Sequence, residues 1–462
     1  MSIVGAFMVP HPPLIVPAVG KGEENVIAAT IAAYRETARR IAALRPQTIV
    51  LSSPHTTLYL DYFHISPGTG ATGSFAQFRA PQEKMSCTYD AEFVRELCAA
   101  AEAEQLPAGT QGQRDASLDH ATMVPLYFVN QFYTNYQLVR VGLSGQSLDR
   151  HYQLGRLISQ TADKLNRRVV YIASGDLSHK LKADGPYGLA PEGPVYDRKI
   201  MEVMGRGAFD QLFGFDDNLC ENAAECGHRS FVILAGALDG QAVKAEPLSY
   251  EGPFGVGYGI CAFTPLGPDN NRCFESSYRT IRDQLQEKRL AQEDAYVRLA
   301  RASLESYVRT GRRLPQPANL PEEMLNRRAG AFVSLHKNGQ LRGCIGTISP
   351  VQPSIAQEIM HNAISAAVED PRFQPVQPDE LADLVYSVDV LGPIEPITSP
   401  DQLDVKRYGV IVTKGARRGL LLPNLPGVDT IPQQIAIASQ KAGLHPAETG
   451  ISLSRFEVIR HY

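Results

Sequence analysis

Three histidines stand directly behind short apolar runs: His11 after Ile3–Phe7 in "FMVPHPP", His55 after "TIVLSSP", and His179 after "RRVVYIASGDLS". Imidazole titrates near neutral pH and is the commonest protein ligand for a transition metal. Two further segments carry groups of the same chemistry. "SLDHATMVPLYFV" places Asp119 and His120 at the start of an apolar helix, and "AAECGHRSFVILAGAL" places Glu225, Cys226 and His228 before or within the first turn of another. A helix N-terminus favours a carboxylate and lowers a thiol pKa, which makes Glu225 and Cys226 both candidate ligands. Asp176, in the turn ahead of His179, joins His120 and His179 as a candidate catalytic group. Two imidazoles and one carboxylate with open positions describe a mononuclear non-haem iron(II) site, whereas imidazoles with a thiolate also suit zinc or copper. These ligands are far apart in the chain, and their spacing does not choose among the metals.

The elements that must position such groups are legible in the first two-thirds of the chain. From Val26 to Leu44, Ile27, Ile31, Tyr34, Ala38, Ile41 and Leu44 recur at steps of three or four, one face of an amphipathic helix. "TIVLSSPH", "YQLVRVGLSG" and "RRVVYIASGDLSH" read as strands, with a helix from about Leu148 to Asn166. Continuous apolar strands alternating with helices predict an α/β fold, a mostly parallel sheet covered on both faces. In such sheets ligands bind beyond the carboxyl ends of the strands, the edge to which His11, His55 and His179 are delivered.

Composition changes near residue 265. "TPLGPDNNRC" is rich in Pro, Gly and Asn, and the reading divides the chain into residues 1–268, a linker at 269–287 and a smaller α+β domain at 288–462. In the latter, "AFVSLHKNGQLRGCIGTI" predicts two strands joined by a turn at Asn338-Gly339, "PSIAQEIMHNAISAAV" a helix, "LVYSVDVL" a strand and "GVIVTKGARRGLLLP" a hairpin. Gly343 and Gly346 bracket Cys344, which would let a ligand approach the backbone there, and Arg342 would supply a cation to bind it. Lys406, Arg407, Lys414, Arg417 and Arg418 form a basic cluster around a hairpin, which can hold phosphate or nucleic acid but more often is a solvated turn, and no aromatic stacking pattern accompanies it.

At 462 residues, 44% hydrophobic and 20% charged, with a net charge of −4, the chain has the composition of a globular protein and no global pull toward nucleic acid or membranes. Seven scattered cysteines do not form a disulfide framework, and no apolar run spans a bilayer, so a reducing cytoplasm is the expected home. The apolar N-terminus reads as a first core strand.

"VPHPP", "SSPHTT", "SLDHATMVPLYF", "SGDLSHKL" and "ECGHRSFVILAGAL" resemble, in order, the motifs of the class III extradiol dioxygenase superfamily with its LigB-like fold, and within it the Memo family. The resemblance implies a metal held by His11 and His55, with His120 and His179 as active-site imidazoles. Ring-cleaving members complete the site with a glutamate, for which Glu225 is the nearest match. Memo-like members have "CG" before the last helix, which matches Cys226. Residues 288–462 resemble the AMMECR domain through "LRGCIGT", "AAVEDPRF", "VDVLGPIEPI" and "GVIVTKGARRGLLLP". Fusion of the two resembles the first component of AmmeMemoRadiSam systems, which implies a radical SAM partner and a small-molecule or modified-residue substrate. That partner is a separate chain, since no CxxxCxxC occurs here. The alternatives are a Memo-like redox protein that binds metal without dioxygenase activity, or a binding scaffold acting through the AMMECR domain.

Overall fold

The apolar runs that precede the histidines are strands of one sheet. In the computed structural model, which describes residues 2–112, 117–337, 340–425, 427–445, 448 and 450–462, the chain divides into two units, Met1–Leu285 and Gln286–Tyr462. Six strands of the first unit lie side by side in the order Gln137–Gly142, Thr48–Ser53, Val169–Ser174, Ile3–Val9, Tyr258–Pro268, Gln241–Glu251. The first four run parallel, and the last two are an antiparallel addition. Thr48–Ser53 and Val169–Ser174 are buried along their whole length, as strands covered on both faces must be.

Alternation along the strands sorts the core into two layers. Met8, Val50, Val139 and Tyr171 pack with residues of the helices Leu148–Lys164 and His228–Ala237. Phe7, Ile49, Leu51 and Ile172 pack with residues of Ala28–Leu44 and His120–Val129. The helix expected over 26–44 starts at Ala28 and buries Tyr34, Ala38 and Ile41 from the anticipated face. An antiparallel hairpin of Gly70–Phe75 and Ala80–Thr88, without an apolar run to announce it in the sequence, adds to the predicted elements.

The segment 269–287 contains a short 3-10 turn and then the start of the helix Glu275–Gln292, close to the helical stretch expected from about Ser276. Phe274 and Tyr278 anchor it in the first unit's core, where the Tyr278 hydroxyl donates to the Phe209 carbonyl at 3.0 Å. Two buried aromatic rings outweigh the turn-forming composition just ahead of them.

The second unit contains two antiparallel sheets. One runs Gln340–Gly346, Ala331–Lys337, Leu384–Leu391, Val458–His461, and the other Glu395–Ile397, Ser452–Phe456, Gly409–Lys414, Arg417–Leu421. The helix Ile355–Val368, capped by Ser354, shares a core with the first of them. The Asn338-Gly339 turn lies outside the described residues.

Candidate metal centre

The rigid "VPHPP" turn is held from below by Tyr34, whose buried hydroxyl donates to the Pro10 carbonyl. His11 is 1% exposed, and its backbone N–H donates to Asp176 Oδ1 at 2.7 Å. Its ring Nδ1 lies 3.0 Å from Ser174 Oγ, whose own proton goes to the Ala121 carbonyl at 2.7 Å. Ser174 is therefore the acceptor in the first contact, which places the imidazole proton on Nδ1 and leaves Nε2 with a lone pair. That lone pair is 3.7 Å from Cys226 Sγ.

His55 and His120 close the group. The ring centroids of His11 and His55 are 4.9 Å apart, those of His55 and His120 4.3 Å, and those of His11 and His120 5.4 Å. One ligand atom each from His11, His55 and Cys226 lies within 4.8 Å of the others. His179 donates from Nδ1 to the Ala224 carbonyl at 2.6 Å, so its Nε2 is likewise a free acceptor, and its ring meets Tyr187 edge-on at 5.2 Å.

Burial keeps these imidazoles neutral. It drives His11 well below the usual pKa, with help from His55, His120 and His179, and it lowers His120 to about 4. His55 and His179 are lowered by the same cause. Burial raises the Asp176 carboxyl to about 7. Neutral imidazoles are the form that ligates a cation.

Glu225 and Cys226, adjacent in sequence, are used differently. Glu225 Oε2 accepts the His228 N–H at 2.6 Å and lies 3.5 Å from the Tyr196 hydroxyl. It thus satisfies an orphan donor of the helix start and stands outside the three-residue group. The expected lowering of the Cys226 pKa is also corrected. The helix begins at His228, and burial together with Asp176 and Glu225 raises the Cys226 thiol well above its usual value. The donor set nonetheless fits a cation. The Asp176 N–H points at the sulfur at 3.3 Å, and a 3.7 Å N···S separation suits two ligands bonded at about 2.0 and 2.3 Å to one tetrahedral ion.

Two supports were not visible as site residues in the sequence. Gly175 and Gly227 touch backbone to backbone, and a Cβ on Gly175 would collide with Gly227 Cα, so these glycines let the Cys226 loop reach His11. Arg140, 1% exposed, donates to Ser66 Oγ and the Ser117 carbonyl and pairs with Asp119 at 3.5 Å. Asp119 in turn accepts from Ser53 Oγ and caps the His120 helix at the Thr122 N–H. An arginine inside the otherwise apolar run "QLVRVG" was the available signal. His55 and His120 open onto a cleft of about 990 Å³, lined also by Thr72, Ser74, Lys84 and Ser86.

A parallel α/β sheet with imidazoles from separate strands and a helix start gathered at its carboxyl edge defines a protein with a candidate metal centre of His, His and Cys among its described residues. The chain belongs to the family of the catalytic LigB subunit of aromatic ring-opening dioxygenase, whose model matches residues 5–261. Residues 297–461 match AMMECR1. Protein CA_C1420 of Clostridium acetobutylicum is 41% identical over 469 residues, covering 100% of this chain and 99% of its own. A protein of Thermotoga maritima is 52% identical over 170 residues, covering 37% of this chain and 98% of its own. The crystal structure of PH0010 from Pyrococcus horikoshii is 36% identical, covers 36% of this chain and 88% of its own, and superposes with a TM-score of 0.34.

The second-unit candidates are held by internal partners. The Arg342 guanidinium grips Glu380 through two hydrogen bonds of 3.0 and 2.9 Å, and Cys344 Sγ accepts from Ser334 Oγ at 3.2 Å. The glycines beside Cys344 serve packing and not ligand approach: a Cβ on Gly343 would meet the Ala366 carbonyl, and one on Gly346 the Phe332 ring. Asp370 accepts the Cys344 N–H and is clamped by Arg372, which also donates to the Cys344 carbonyl, so the edge strand is capped at Cys344. In the basic cluster, Lys414 and Arg417 share Glu448, and Arg407 pairs with Glu457. Among the described residues, no helix is long and apolar enough to cross a membrane.

Proposed function

We propose that the first unit is a metal-dependent oxidoreductase-like enzyme that holds one cation through His11, His55 and Cys226, with iron(II) the leading candidate and copper or zinc the alternatives. The observation that carries this reading is the convergence of three ligand atoms within 4.8 Å from residues 11, 55 and 226. Membership of the LigB family supports oxidative chemistry. When bound, a divalent cation supplies Lewis acidity toward paired substrate oxygens and an open position for dioxygen.

The chain's own groups handle protons and position. His179, fixed by Ala224 with Nε2 free, takes the proton of a substrate hydroxyl. His120, kept neutral at the mouth of the cleft, is the second imidazole able to return it. Asp176 orients the His11 turn by accepting its backbone N–H. The fusion with an AMMECR1 unit supports a radical SAM protein as a partner that acts on the same small-molecule or modified-residue substrate.

One observation favours a second reading. With the Glu225 carboxylate engaged by the His228 N–H, the third ligand is sulfur, which suits a metal-binding redox role without ring opening. Oxygen uptake by anaerobically purified, iron-loaded protein with a panel of catechols separates the two. Catechol-dependent uptake that falls at least ~10-fold in His179→Ala, with metal retained, is the expected result for a lost general base. Metal-loaded protein without such uptake leaves the second reading, and a protein that binds no metal removes both.

A further inference from the structure

The hairpin of Gly70–Phe75 and Ala80–Thr88 turns a polar face into the cleft. Its register pairs Thr72 with Ser86 and Ser74 with Lys84, and all four side chains line the cleft together with His55 and His120. The alternate positions Ala71 and Phe75 are buried in the core, while Gly73 and Met85 reach the cleft beside the polar side chains. The wall is also fixed in place. The Leu118 N–H donates to the Thr72 carbonyl at 2.9 Å, and a Cβ on Gly73 would strike Leu118 and Met123.

Among the described residues, charge on this wall is unbalanced. Asp119 is the acidic side chain lining the cleft among the described residues, and Arg140, Ser53 and Thr122 already engage it. Lys84 lines the same cleft, is exposed, and has no ion pair among the described residues. Ligand sites are usually mostly apolar with a few placed polar groups. Here hydroxyls, the Gln77 amide and an ammonium that has no ion pair among the described residues share the lining with Met85 and Leu118 in front of the imidazoles.

We propose that Ser74, Lys84 and Ser86 form an oxyanion-binding subsite, so that the molecule handled in this cleft carries a carboxylate or phosphate group in addition to the oxygens it presents at the His11–His55–Cys226 end. The second half of that statement rests on the metal-dependent reading above. The anion subsite itself does not. The substrate class is then an organic acid or a phosphate ester, and a neutral aromatic diol lacks the group that Lys84 binds.

Calorimetric titration of the full-length protein at fixed, low ionic strength with two probes, inorganic phosphate and glutarate, tests this. Saturable binding of at least one probe is expected, weakened about tenfold in Lys84→Ala and recovered in Lys84→Arg, because a charged donor to an oxyanion is what was removed. Preference for phosphate or for glutarate identifies the source of the anion. No saturable binding of either probe, or equal affinity in wild type and Lys84→Ala, overturns the proposal. Metal analysis of the same samples keeps the two readings apart. Lys84-dependent anion binding in a protein without metal retains the subsite and removes the enzyme reading, whereas bound metal with Lys84-independent binding removes the subsite alone.

Discussion

Two cysteines beside glycines, Cys226 in the first unit and Cys344 in the second, meet opposite fates. Cys226 comes within 3.7 Å of a His11 nitrogen that has a lone pair and no proton. Cys344 accepts a hydroxyl proton from Ser334, and its backbone is bonded on the outer edge by Asp370 and Arg372. Both sulfurs take a hydrogen bond, Cys226 from the Asp176 N–H and Cys344 from Ser334, but ligand atoms of His11 and His55 lie within 4.8 Å of the Cys226 sulfur. What separates the two cysteines is whether other ligand atoms converge on the sulfur, and motif composition does not reveal that.

The largest effect is expected where the two loops of the first unit touch. Gly175→Ala forces a methyl group into Gly227 and should lower stability by about 1–3 kcal/mol or more, as overpacking does, and also strip metal from the folded remainder. Thermal melts and metal content of the full chain check both parts, and an unchanged melt would mean that the loops are not in contact.

A smaller and purely structural effect is expected in the second unit. Asp370→Asn weakens the Arg372 clamp and should cost about 1–3 kcal/mol while leaving metal content unchanged. Its pH signature is specific. The Arg372 side chain, aided by the Cys344 and Arg372 N–H groups and opposed by burial, holds Asp370 down to about 2. The contribution of a depressed carboxyl is complete above the unfolded value of about 4 and is lost as pH falls toward 2. Hydrogen exchange across residues 340–346 should accelerate in that window in wild type and lose this dependence in Asp370→Asn.

The least effect is expected at the basic hairpin. Arg417 is exposed and shares Glu448 with Lys414. Arg417→Ala should therefore change stability by less than about 1 kcal/mol, the scale of exposed ion pairs, with no change in metal content. RNA binding that is salt-sensitive and abolished by this substitution would instead give the second unit a surface function of its own.

Much of this comparison could be read from the chain. His11, His55 and His179 each follow a strand because continuous apolar runs in a parallel sheet announce both the strand and its carboxyl end. His120 at a helix start follows from the Asp119 cap ahead of an apolar run. The choice between Glu225 and Cys226 was not legible. The two are neighbours of similar ligand chemistry, and only the folded backbone shows that Cys226 faces His11 while Glu225 turns to the His228 N–H. The hairpin at 70–88 escaped notice because its exposed, polar strand positions lack the apolar run that marked the central strands. The glycines of "LRGCIG" were read as room for a ligand, but what fills the space above them, Ala366 and Phe332, is set by tertiary packing.

Elemental analysis of anaerobically purified full-length protein, comparing wild type, Cys226→Ala and Glu225→Gln, decides whether the sulfur is a ligand. About one first-row transition metal per chain is expected in wild type and Glu225→Gln, and a loss of ~10-fold or more in Cys226→Ala, as when one of three protein ligands is removed. Wild-type protein without bound metal, or loss in Glu225→Gln alone, would contradict sulfur ligation.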